Sequence, residues 1–153
     1  MKILMVCLGN ICRSPMAEGI MKHKIKKHNL DIEVDSAGFE AFHEGDRPNR
    51  RGMATLKNNG IDISNQRSRL FNISDFDKFD RIYVMDGMNH ADVMSVTRDE
   101  NDKKKVDFIL NKIFPGKNRH VPDPYYGSGD GFERVYEMLD KACDVIVNEL
   151  KTK

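Results

Sequence analysis

Across 153 residues the chain carries 25 Lys and Arg against 24 Asp and Glu, a formal net charge of +1, with 39% hydrophobic and 32% charged residues. That length suits one domain, residues 1–153, with a full core of its own. A near-neutral balance gives no footing for a nucleic-acid surface, so a charged ligand has to be recognised locally. Three cysteines, Cys7, Cys12 and Cys143, are too few and too odd in number for a disulfide framework. No stretch approaches the roughly 18 apolar residues of a membrane helix. Met1-Lys2 leads straight into a strand-like run instead of the apolar region of a signal peptide. A cytoplasmic protein with reduced thiols and no membrane partner is expected.

Taken in order, Lys2 to Val6 is a short apolar run that reads as a buried strand. A loop over 7–13 follows. Ser14 is placed to cap a helix with Pro15 at its first position. Ala17, Ile20, Met21 and Ile25 recur at helical spacing, and His28-Asn29 marks the stop. Residues 32–37 alternate and predict a second strand ended by Gly38. Residues 39–51 read as loop, Arg51 to Asn59 as a short helix closed by Gly60, and Ser74 to Lys78 as a further short helix. Asp80 to Met85 predicts the third strand, Met88 to Val96 a helix, and Val106 to Leu110 a short fourth strand. The charge run at 98–105 reads as a solvated connection. After a loop over 117–130, Phe132, Val135, Tyr136, Leu139, Cys143, Ile146 and Leu150 form the apolar stripe of a long final helix. Strands alternating with helices predict an α/β fold, with a parallel sheet flanked by helices on both faces. Ligands bind such sheets at the carboxyl ends of the strands, where the first loop lies.

That loop reads Cys7-Leu8-Gly9-Asn10-Ile11-Cys12-Arg13-Ser14. Gly9 and Asn10 tolerate positive φ, so main-chain N–H groups can converge into an anion-binding nest. A helix N-terminus adds partial positive charge, and Arg13 offers a planar fork that matches two phosphate oxygens. Cysteines in such a field ionise readily, which makes Cys7 a candidate thiolate nucleophile. Ser14 has two candidate roles, a hydrogen bond to that sulfur and the helix cap. Of the carboxyl groups, Asp123 stands out because Pro122 and Pro124 stiffen its loop. It is a candidate general acid, and equally a turn-forming Asp beside proline. Five histidines, at 23, 28, 43, 90 and 120, lack metal-ligand spacing, so no metal or cofactor is expected.

The chain resembles the low-molecular-weight protein tyrosine phosphatase family over nearly its whole length. The resemblance rests on the Cys7–Ser14 loop, Ser36-Ala37-Gly38, Val84-Met85-Asp86, Asp123-Pro124-Tyr125-Tyr126, and the order of Phe132, Glu133, Val135 and Tyr136. It implies a four-stranded parallel sheet, no metal, and a phosphocysteine intermediate. Catalysis then falls to Cys7, Arg13 and Asp123. Leu8, Gly9, Asn10, Ile11, Cys12 and Ser14 shape the phosphate site, and Phe42 and Tyr125 wall an aromatic slot. Rim packing is the alternative for those two aromatics. The resemblance also implies that Cys12 shields Cys7 by a reversible disulfide, against simple loop packing as the alternative. Cys143 reads as buried and inert. Expected partners are a phosphotyrosine-bearing protein as substrate and inorganic phosphate as product, with the enzyme a monomer. Three rivals follow. Thiol-dependent arsenate reductases need further cysteines between Cys12 and Cys143, where none exists. Phosphoarginine phosphatases usually carry Thr where Ile11 stands. A non-catalytic phosphotyrosine-binding module needs neither the thiolate nor the acid.

Overall fold

The computed structural model describes residues 1–124 and 129–151. Four parallel strands form one sheet in the order β2-β1-β3-β4: β1 is Lys2–Val6, β2 Glu33–Ala37, β3 Arg81–Val84 and β4 Val106–Phe108. Central β1 pairs with both β2 and β3, Met5 lying between Ser36 and Tyr83 in register. Because the strand order reverses on the two sides of β1, the loops after β1 and β3 diverge at one point above the sheet. Such a switch point is where this architecture leaves a crevice.

Period-two alternation along β1 divides the core. Ile3 and Met5 face a layer built by α1 (Arg13–Lys27), α2 (Arg50–Asn58) and α6 (Gly131–Lys151), with Met16, Ile20, Leu56, Leu139 and Ile146 fully or nearly fully buried. Leu4 and Val6 face the opposite layer, where Phe76 of α3 (Asp75–Lys78) and Val93 of α4 (Gly87–Met94) pack with Ile82, Val84 and Phe108. Helices therefore cover both faces, as the alternation of elements predicts. Cys143, on the inner stripe of α6, is fully buried, and burial pushes its thiol up to about 12. No helix among the described residues is long and apolar enough to cross a membrane.

Two expectations need correction. The charge run is not all connection: α5 spans Glu100–Lys104, with Asp99 capping it by accepting from the Asp102 N–H at 2.9 Å. Arg98 pairs with Asp77 and Asp102 and pins that turn. Ser14 is not the cap of α1. The helix begins at Arg13 with Cys12 in the cap position, and no side chain caps it. Ser14 lies inside the first turn, and its hydroxyl is used elsewhere.

Candidate active site

The loop between β1 and α1 takes its shape from tethers on its outer side. The Leu8 carbonyl accepts from the Phe39 and Glu40 N–H groups at 2.8 and 3.0 Å, and the Ile11 carbonyl accepts from Asn49 N–H at 2.7 Å. The Gly9 carbonyl accepts from the Ser68 hydroxyl at 2.9 Å. Positive φ falls on Asn10, at 54°, while Gly9 is needed for space: a Cβ there would stand 3.1 Å from the His43 ring. Gly38 is needed for close approach too. A Cβ on it would lie 2.7 Å from the Leu8 carbonyl oxygen and 2.9 Å from the Asn10 nitrogen.

A chain of hydrogen bonds runs behind the thiol. Asn10 Nδ2 donates to Ser14 Oγ at 2.8 Å and to Ser36 Oγ at 2.9 Å, and Asn10 Oδ1 accepts from Arg69 N–H. That last contact fixes which way the amide faces. Ser36 in turn donates to Glu18 at 2.6 Å, and Glu18 pairs with Lys22. Ser14 Oγ lies 3.0 Å from Cys7 Sγ. Its oxygen already accepts from Asn10, so its own proton is available to the sulfur. That arrangement suits a thiolate acceptor. Cys12, 4% exposed, has its thiol pushed up to about 12, first by burial and then by the charges of Cys7 and Asp123. The two loop cysteines thus differ by position: Cys7 Sγ faces the Ser14 hydroxyl, while burial and nearby charge hold Cys12 as the neutral thiol.

Arg13 is buried, 3% exposed in its side chain, and is steered from outside the loop. Its Nη1 donates to Asp86 Oδ2 at 2.6 Å and to the Val121 carbonyl at 3.0 Å. Nη2 lies 3.6 Å from Asp123 Oδ2, and Nε is buried with no hydrogen-bond partner among the described residues. Burial would lower the pKa of this guanidinium, but the charges of Cys7, Asp86 and Asp123 and the Asp86 hydrogen bond outweigh it and raise it. Asp86 moves the other way. Burial would raise its carboxyl, yet the Arg13 hydrogen bond and the Asn89 N–H hold it below the usual range. Asp86 stands just past β3 and caps α4 through Asn89 N–H at 2.8 Å. Val121 N–H donates to the Met85 carbonyl at 2.7 Å, tying the Asp123 loop to the same strand end. The His120 ring stacks on Phe108 at 6.0 Å and abuts Gly87.

One pocket gathers these groups. Cys7, Leu8, Gly9, Ile11, Cys12 and Arg13 form its floor, and Asp123, Glu40 and His43 its walls. Most of the expected residues thus meet. Phe42 is 82% exposed, its ring edge-on to His43 at 4.9 Å, outside the residues that line the pocket. Tyr125, expected as the second wall, lies outside the described residues, as does Tyr126. His43 and Glu40 are wall residues that sequence reasoning did not single out. Asp86 and Ser36 sat in stretches that carried the family resemblance, but without an assigned role. Ser68 had no signal at all. Among the described residues, no group of three or more His, Cys, Asp or Glu is placed to hold a metal ion.

The family model for low molecular weight phosphotyrosine protein phosphatase matches residues 2–153. A relative of that name from Schizosaccharomyces pombe is 40% identical over 141 residues, 90% of this chain and 89% of its own. Among solved structures, a protein tyrosine phosphatase from Entamoeba histolytica with Hepes in its active site superposes with a TM-score of 0.92 at 38% identity, covering 99% of this chain and 97% of that one. A Drosophila arginine phosphatase superposes with a TM-score of 0.88 at 35% identity, covering 97% of each chain. Sequence, fold and loop agree: the chain belongs to the low molecular weight phosphotyrosine protein phosphatase family.

Proposed function

We propose that the protein hydrolyses phosphotyrosine in proteins, and small aryl phosphates, through a phosphocysteine intermediate. The observation that carries this is the state of Arg13. Its Nη1 is committed to Asp86 and Val121, while its buried Nε has no partner among the described residues and the pocket it lines also holds Cys7 and Asp123. A phosphoryl group settling on the loop N–H groups supplies the missing acceptor.

Cys7 Sγ attacks phosphorus in line with the ester oxygen. The sulfur–phosphorus bond forms as the phosphorus–oxygen bond breaks, and Asp123 gives its proton to the departing phenolate. Negative charge on the equatorial oxygens is met by Arg13 and the loop donors, already in place. A water molecule then attacks phosphorus, its proton goes to Asp123, and the thiolate leaves with Ser14 as its donor. The net change is ester plus water to phenol plus inorganic phosphate. Residues 1–153 act on this reading as one domain and a monomer in the cytoplasm, where reducing conditions keep the three buried cysteines as the free thiols seen here.

The test is hydrolysis of an aryl phosphate, with chelator present, by wild type, Cys7→Ser and Asp123→Asn. Turnover survives chelation, disappears in Cys7→Ser, and falls about 10²–10⁴-fold in Asp123→Asn. An inert wild type that still binds phosphate would point to a binding module instead. Likeness to the arginine phosphatase keeps one rival substrate in play. Ile11, 8% exposed on the pocket floor, offers an apolar surface to an aryl ring. Paired phosphotyrosine and phosphoarginine peptides decide between them, with kcat/KM expected to favour phosphotyrosine.

A further inference from the structure

The three outward carbonyls of the phosphate loop are not held alike. Main-chain N–H groups hold Leu8 and Ile11, whereas a side chain, the Ser68 hydroxyl, holds Gly9. Ser68 is 6% exposed and 59 positions away from Gly9 in sequence. Its main chain makes two further bonds, donating to the Asp46 carbonyl and accepting from Gly45 N–H, both at 2.8 Å. Gly45 and Asp46 belong to the turn that follows His43. The His43 Nδ1 lies 3.2 Å from Asp46 Oδ2, and its ring rests on Gly9. Loop, Ser68, turn and His43 thus close a circuit around one edge of the pocket.

We propose that Ser68 is a positioning residue of the phosphate site, acting through Gly9. A peptide group is rigid and rotates as one unit. With its oxygen anchored outward, the Gly9–Asn10 peptide holds the path into the left-handed turn at Asn10 and keeps a carbonyl dipole off the anion. With the hydroxyl removed, that peptide loses the anchor on its oxygen and rotates, and the nest widens. The inference rests on reading residues 7–14 as a phosphate site.

Inorganic phosphate titrated into the whole protein by calorimetry provides the test, with aryl phosphate hydrolysis followed in parallel. Ser68→Ala is expected to weaken phosphate binding roughly threefold to tenfold, the worth of one hydrogen bond. Ser68→Thr, which keeps the hydroxyl, restores binding to within about twofold of wild type, and Ser68→Cys, a weak donor of similar size, falls between. Asn59→Ala serves as the control. It removes a side-chain bond to the Thr55 carbonyl at the far end of α2, so it lowers Tm and leaves phosphate binding unchanged. Ser68→Ala that binds phosphate as wild type does, or a Thr variant of normal Tm that fails to restore binding, overturns the assignment while leaving the phosphatase reading intact. A wild type that neither binds phosphate nor hydrolyses the ester overturns both.

Discussion

Replacing Asp86 by Ala removes two contacts at once, and their sizes differ enough to be separated. One is the 2.6 Å bond from Arg13 Nη1, and the other is the cap on Asn89 N–H at 2.8 Å. Breaking a buried ion pair costs about 3–5 kcal/mol because a charge stays behind without its counter-ion. Arg13 is buried but Asp86 is 20% exposed, and Val121 and Asp123 remain near the guanidinium. The pair therefore belongs at or below the low end, about 2–3 kcal/mol, and the lost cap adds about 1 kcal/mol. Asp86→Asn can keep the cap through its amide oxygen but loses the charge-assisted bond, so it should fall short of Asp86→Ala by about 1 kcal/mol. The catalytic effect is separate. Without Asp86 the Arg13 Nη1 keeps only the Val121 carbonyl, with Asp123 3.6 Å from Nη2, and a misaimed transition-state donor costs up to about 10²–10³ in kcat. Urea denaturation and aryl phosphate kinetics of the three proteins measure both. The sign with pH follows from the depressed carboxyl. Asp86 stabilises the fold above the ordinary aspartate range, and that contribution is lost as pH falls through its lower folded value. The denaturation difference between wild type and Asp86→Asn should therefore shrink in acid. Wild-type kcat/KM in Asp86→Ala would refute the claim that Arg13 is steered from β3.

Two other outcomes follow from the same geometry. Brief treatment of the folded protein with iodoacetamide at neutral pH should modify Cys7 and spare Cys12 and Cys143, both held protonated with thiols near 12, as peptide mass spectrometry would read out; equal labelling of Cys12 would contradict the distinction. Gly38→Ala places a methyl group 2.7 Å from the Leu8 carbonyl, so it should cost about 1–3 kcal/mol in denaturation and weaken phosphate binding; a neutral effect on both would show that the loop has room to move.

What the sequence disclosed was the part of the site that is local. Cys7, Gly9, Asn10, Arg13 and Ser14 fall within one strand-loop-helix segment, so the anion nest is legible from residue types and spacing. The first strand was legible because both of its faces are buried, Ile3 and Met5 against one layer and Leu4 and Val6 against the other, so it reads as a continuous apolar run. Contacts closed over distance were not. Arg13 meets Asp86 73 positions on, and Gly9 meets Ser68 across 59. Nothing in either local stretch announces its partner. The start of α1 was misjudged because Ser before Pro is a common cap signal, whereas here Asn10 and Cys7 draw the Ser14 hydroxyl inward. Residues 98–105 look like solvated charge until Asp99 and Arg98 are seen to bond with Asp102. Exposure of Phe42 turns on where the 39–46 segment settles, which Ser68 and its neighbours decide from outside.

The outward tethers mean that the eight-residue loop is not a portable motif. Its geometry is written in residues 39, 40, 49 and 68 as much as in 7–14. During folding the nest cannot form until those segments arrive, so phosphate affinity reports on completed assembly and not on the first strand and helix alone. A peptide cut to β1 and α1 would keep Cys7 and Arg13 and lose both Asp123 and the shape that makes them react. Transplanting the loop onto another strand-to-helix turn would fail for the same reason, unless the recipient scaffold offered donors to the carbonyls of Leu8, Gly9 and Ile11.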